Sequence, residues 1–101
     1  MHEISIGYVA QALTDGATVV DVREAGEYAE GHVPGVVHIP MGQLPSRIHE
    51  LDADQPVYVI CASGNRSAAM SEHLAAAGFQ TASVAGGTAA WSRSGRALAR
   101  V

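Results

Sequence analysis

Lysine is absent from this 101-residue chain, and cysteine occurs once, at Cys61. Without lysine, six scattered arginines stand against ten acidic residues, giving a formal charge of −4 and no basic run. That balance argues against nucleic acid or an anionic membrane as a partner. A lone cysteine excludes an internal disulfide framework. No apolar stretch approaches the ~18 residues that a membrane span requires. The start, Met1-His2-Glu3-Ile4, lacks the basic segment and apolar core of a signal peptide. The expectation is a soluble, cytoplasmic protein. With 48% hydrophobic and 16% charged residues, the composition is that of a folded chain rather than a disordered one. Residues 1–101 read as one domain, with no repeat, low-complexity tract or linker.

What is present alternates between two periodicities. Thr18-Val19-Val20-Asp21-Val22, Val36 to Ile39, Val57 to Ile60 and Thr81 to Val84 are β-branched or aliphatic runs that read as buried strands. A short first strand is expected over Glu3 to Ser5, and a helix over Gly7 to Leu13. Gly26 to Glu30 reads as a helix stopped by Gly31. Leu44, Ile48 and Leu51 recur at i, i+4 and i+7, one face of a helix. A further helix over Ser67 to Ala77 places Met70, Leu74 and Ala77 on one side, with Gly78 as its terminating glycine and Phe79 packing back. Gly86-Gly87 precedes a last helix through Trp91. Strand–helix alternation of this kind specifies an α/β fold, a mostly parallel sheet with helices on both faces, whose ligands bind at the carboxyl ends of strands.

Cys61 lies at such an end. It follows Val57-Tyr58-Val59-Ile60 and opens the loop Cys61-Ala62-Ser63-Gly64-Asn65-Arg66-Ser67 before a helix. Successive loop N–H groups can converge on one anion there, and the helix N-terminus adds partial positive charge. Free cysteine titrates near pKa ~8.5, but beside a cation at a helix N-terminus it falls to roughly 3.5–7.5. Gly64 allows the loop to curl, Ser63 offers a hydroxyl, and Arg66 supplies the cation. Arg66 can serve by facing an anionic donor or by bracing the loop; both roles stay open.

These residues, with three other segments, resemble the rhodanese family of sulfurtransferases in its single-domain form, over about Ile4 to Gly95. Asp21-Val22-Arg23 with Glu27-Tyr28, Gly31-His32-Val33-Pro34-Gly35 with Ile39-Pro40, and Gly86-Gly87 with Trp91 match its other signatures in order and spacing. The resemblance implies a three-layer sandwich around a five-stranded, mostly parallel sheet. It also implies that Cys61 takes a sulfane sulfur from a donor such as thiosulfate, holds it as a persulfide and delivers it to a thiophilic acceptor. Cyanide, a small thiol or thioredoxin would serve as acceptor. Backbone N–H groups of Ala62, Ser63, Gly64, Asn65, Arg66 and Ser67 would cradle the persulfide anion, and no cofactor or metal is called for.

Other chemistries fit these residues less well. Cysteine phosphatases share the strand–loop–helix device, but five residues separate their cysteine from arginine, whereas four separate Cys61 from Arg66. Asp52 and Asp54, the candidate general acids, fall in an expected surface turn. Asp21, Arg23 and Glu27 read as framework, Asp21 accepting backbone N–H groups and Arg23 pairing with Glu27. His32 and His38 lack the further ligands of a zinc site; His32 reads as a turn residue, and His49 and His73 as helix surface. Trp91 reads as core or pocket wall. A rhodanese fold used as a sulfur carrier or protein-binding module, without turnover, is the alternative to an enzyme.

Overall fold

The β-branched runs form the centre of a single sheet. In the computed structural model, which describes residues 3–101, five strands lie parallel in the order β1-β5-β4-β2-β3. These are β1 (Glu3–Ile4), β2 (Thr18–Asp21), β3 (Val37–His38), β4 (Val57–Ile60) and β5 (Thr81–Val84). β4 is central, its Val57 to Ile60 aligned with Thr18 to Asp21 of β2 and its Val57 to Val59 with Thr81 to Ser83 of β5. A parallel strand covered on both faces needs apolar side chains on both, which is why Val57, Val59 and Ile60 are all fully buried.

Helices supply the two covers. Val20, Val22, Val57, Val59 and Cys61 form one core with Ile39, Leu44 of α3 (Leu44–Arg47) and Leu74 of α4 (Asn65–Ala76). Val19, Ile60 and Val84 form the other with Val33, Val9 of α1 (Ile6–Thr14) and Trp91 of α5 (Gly87–Arg93). Each fully buried valine or isoleucine contributes about 1.5–3 kcal/mol, so these two clusters are the principal stabilising force. The remaining helix, α2 (Ala25–Glu30), follows β2 and has no fully buried residue.

Local chemistry moves several boundaries. Ser5 leaves the strand because its hydroxyl caps α1, accepting the Tyr8 N–H at 3.1 Å. The stretch bearing Leu44, Ile48 and Leu51 is not one helix: α3 is four residues long, with Pro45 in its first turn, flanked by 3₁₀ turns at Met41–Gln43 and Ile48–Glu50. Its three apolar side chains still reach one core. α4 begins two residues earlier than the sequence pattern suggests. Its buried stripe is Ser67, Ser71 and Leu74, whereas Ala77 is exposed. The stripe tolerates serine because both hydroxyls are satisfied, Ser67 by Ser83 and Ser71 by Thr81 across on β5. Past α4, Gly78 turns left-handed, and the Phe79 and Gly78 N–H groups donate to the Leu74 and Ala75 carbonyls. That is a Schellman termination.

The connectivity fixes where a ligand site belongs. From β2 the chain moves outward through α2 to β3; from β4 it moves the opposite way through α4 to β5. The carboxyl ends of β2 and β4 are therefore adjacent and their following helices diverge, opening a crevice at that end.

Candidate active site

Cys61 is the first residue past β4, at that crevice. Gly64 has a left-handed backbone, φ 116°, which folds the loop back so that its N–H points at Cys61 Sγ from 3.0 Å. Ser67, on the first turn of α4, places its hydroxyl 3.4 Å from the same sulfur. In the thiol form S–H donates to Ser67 Oγ, while the Ser67 hydroxyl donates to the Gly64 carbonyl at 3.1 Å. That carbonyl also accepts the Ala68 N–H, so the Ser67 proton can rotate onto a thiolate without orphaning it. Ser83 of β5, fully buried, sits 2.7 Å behind Ser67 and holds the hydroxyl in place.

Burial pushes the Cys61 thiol up. Hydrogen bonds from the Ser67 hydroxyl and from the backbone at Ser67, Gly64 and Ser63 together outweigh it, so the thiol lies below its ordinary value. The sulfur does not lie open, however. Cys61 is only 1% exposed.

The N-terminus of α5 secures the loop from beneath. Thr88 donates its N–H and its hydroxyl to the Cys61 carbonyl at 2.8 and 3.1 Å, and the Ala89 N–H takes the Ala62 carbonyl at 3.0 Å. Gly87 permits this approach, since a Cβ there would overlap the Cys61 carbonyl oxygen and stand 2.7 Å from that of Ala62. With these carbonyls turned toward α5, the loop's N–H groups are left for the sulfur.

Arg66 points away from the sulfur to the neighbouring helix. Its Nη1 and Nη2 donate to Glu27 Oε1 and Oε2 of α2 at 2.7 and 2.9 Å, a two-pronged pair spanning the crevice. This pair holds the Glu27 carboxyl down at about 2 and raises Arg66 further. The expected Arg23–Glu27 pair is thus not formed. Helix α2 starts only at Ala25, so Arg23 does not share a helix face with Glu27. Instead Arg23 folds onto Asp21, its Nε and Nη2 donating to the two carboxylate oxygens at 2.9–3.1 Å, and also reaches the Gly31 carbonyl. Asp21 accepts the Arg23 N–H as well, in keeping with its framework reading.

Of the loop residues read from sequence, the structure gathers Cys61, Gly64 and Ser67 into direct contact. Ser63 and Asn65 are exposed, and Ala62 lines a neighbouring cleft of about 340 Å³. That cleft is lined also by Arg23, Glu27, Glu30 and Gly31, by Thr88, Ala89 and Ser92 of α5, and by Leu98, which packs against Gly31. His32 donates from Nδ1 to the Tyr28 carbonyl, and its ring and that of His38 stack on Tyr28 at 3.7 and 4.2 Å. Asp52 and Asp54 are exposed in a turn, and Trp91 is buried with its indole N–H on the Ala97 carbonyl. Sequence reasoning missed Ser83 and Thr88. The one available signal for Ser83 was a hydroxyl residue inside an otherwise apolar strand.

The model of the rhodanese-like domain matches residues 5–94. The chain belongs to the rhodanese family. Within that family it is 45% identical over 73 residues to YtwF of Bacillus subtilis, provisionally named a sulfurtransferase, covering 72% of this chain and 71% of that one. It is 38% identical over 84 residues to the thiosulfate sulfurtransferase GlpE of Pseudomonas syringae, covering 81% and 79%. The crystal structure of a rhodanese-related protein from Thermoplasma volcanium superposes with a TM-score of 0.90 at 32% identity, covering 98% of each chain. Relatives of this rhodanese domain are thus named as sulfurtransferases.

Proposed function

We propose that this rhodanese domain moves a sulfane sulfur from a donor such as thiosulfate to a thiophilic acceptor, cyanide or a thiol, through a persulfide on Cys61. The observation that carries the reading is the convergence of the Gly64 N–H and the Ser67 hydroxyl on Cys61 Sγ. Groups preorganised around one sulfur stabilise an anion before and after it gains a second sulfur. The Cys61 thiolate attacks the outer sulfur of thiosulfate, sulfite departs, and Cys61–S–S⁻ remains. Attack by the acceptor on that terminal sulfur returns the thiolate. A thiol already below its ordinary value needs no separate general base, and the cycle as written uses no cofactor or metal.

A thiol acceptor such as thioredoxin and a reducing, cytoplasmic setting fit a single uncoupled cysteine. The charge of −4 disfavours nucleic acid and anionic membrane as partners. Among the described residues no helix is long and apolar enough to cross a membrane. The 1% exposure of Cys61 favours one second reading, a sulfur carrier or protein-binding module loaded only by a dedicated partner.

The test is intact mass after incubation with thiosulfate and, separately, with an organic persulfide. The wild type is expected to gain one sulfur, and to lose it to cyanide with release of thiocyanate. Cys61→Ser, which exchanges one small polar atom, is expected to fold normally and gain none. Equal gain by that variant sinks the assignment. A wild type that neither donor loads is the carrier or binding module instead.

A further inference from the structure

One buried hydroxyl behind the sulfur can point its proton in a single direction. Ser83 is 0% exposed, on a strand whose other buried residues, Ala82 and Val84, are apolar. Among the described residues its side chain has one hydrogen-bond partner, Ser67 Oγ at 2.7 Å. Either oxygen of that pair is able to donate, but their other neighbours differ. Ser67 has the Gly64 carbonyl at 3.1 Å and the Cys61 sulfur at 3.4 Å as further partners. Were Ser67 to donate to Ser83, the Ser83 proton would lie in the interior with no acceptor, at the full cost of its desolvation. Both groups are satisfied only when Ser83 donates and Ser67 accepts. The Ser67 proton is then left for the Gly64 carbonyl or for the sulfur.

We propose that Ser83 is a positioning residue for the sulfur chemistry: by donating to Ser67 Oγ, it commits the Ser67 proton to Cys61 once the thiolate forms. This rests on the sulfurtransferase reading above. In the thiol, Ser67 Oγ accepts from Cys61 S–H and from Ser83 and gives its own proton to Gly64. In the thiolate it still accepts from Ser83 and turns that proton to the sulfur. A hydroxyl that accepts one hydrogen bond is polarised into a better donor of the next, by about 10–30% per bond. No proton leaves either serine, so Ser83 acts by orientation and not as an acid or base. The same two elements carry a second hydroxyl pair, Ser71 of α4 with Thr81 of β5 at 3.3 Å, which joins helix to strand one turn away from the sulfur's serine.

Deleting the Ser83 oxygen orphans no partner, because Ser67 keeps the Gly64 carbonyl. Ser83→Ala is therefore expected to unfold in urea no earlier than the wild type. It is nonetheless expected to hold about threefold less thiolate at a pH below its midpoint, read from thiolate absorbance with no donor present. The pH midpoint for loading by thiosulfate, followed by intact mass, should move upward with it. Ser67→Ala is expected to shift the titration further, and Ser83→Ala added to it to shift it no more, since one serine acts through the other. Ser71→Ala, which loosens the second pair, should leave the titration in place. Ser83→Thr and Ser83→Val, alike in shape, repeat the comparison if alanine loosens the strand: the threonine should titrate like the wild type and the valine like the alanine. The proposal is overturned if losing the Ser83 hydroxyl leaves the titration unchanged, if the two shifts add in the double variant, or if Ser71→Ala moves it equally. Failure of every donor to load the wild type overturns the sulfurtransferase reading, while the titrations still decide whether Ser83 directs the Ser67 proton.

Discussion

Two arginine–carboxylate pairs flank the crevice, and their surroundings give them different work. Arg23 and Asp21 are 7% and 0% exposed at their side chains; Arg66 and Glu27 are 32% and 36% exposed. Geometry barely separates them, since both are multiply hydrogen-bonded at 2.7–3.1 Å. Burial does. A buried charge that loses its partner has no water to turn to, whereas a half-exposed one is resolvated. The first pair therefore belongs to the framework that holds the end of β2. The second can vary at small cost to the fold.

Three variants test this difference. Arg23→Ala strands the Asp21 carboxylate in the interior and is expected to cost about 3–5 kcal/mol in urea unfolding. A loss below about 1 kcal/mol, the range of exposed pairs, would erase the distinction. Ser67→Ala tests whether a buried polar group can serve both fold and site. It deprives the buried Ser83 hydroxyl of its partner, an expected cost of about 1–3 kcal/mol. It also raises the thiol's titration, read from the ultraviolet absorbance of the thiolate, because a hydrogen bond to the sulfur is lost. An unchanged titration would assign Ser67 to the framework alone.

The smallest effect is expected from Glu27→Gln combined with Arg66→Met, which leaves the net charge unaltered. Stability should change by less than about 1 kcal/mol. Loading should fall by the same factor for anionic and cationic donors, as a loosened loop affects all alike. A loss confined to anionic donors would return Arg66 to the role of donor ligand. The pair also has a pH signature. Because the folded Glu27 carboxyl lies at about 2, below its ordinary 4.5, its stabilisation is present above pH 4.5 and fades as pH falls toward 2. The stability gap between wild type and double variant should close over that window.

The same contrast marks what was legible in the sequence. Val57 to Ile60 could be little other than a buried strand, and the strand–loop–helix turn around Cys61 and Gly64 was readable from the residues that follow it. Near-neighbour terminations were readable too, as at Gly78, because they depend on a few consecutive residues. Partner choice was not. Glu27 and Arg66 are 39 residues apart and meet only because α2 and α4 diverge from adjacent strand ends. Spacing alone offered Arg23 to Glu27, a pairing that requires a helix where the chain has none. Ser67 and Ser71 lie inside, because β5 offers each a hydroxyl that the sequence of α4 does not reveal.

The carbonyl of Cys61 is gripped by Thr88, 27 residues further along, and the hydroxyl nearest its sulfur is steadied by Ser83. The geometry around the sulfur is thus set partly by elements that follow the loop in the chain: a change that loosens β5 or the start of α5 reaches the sulfur without touching any residue of the loop.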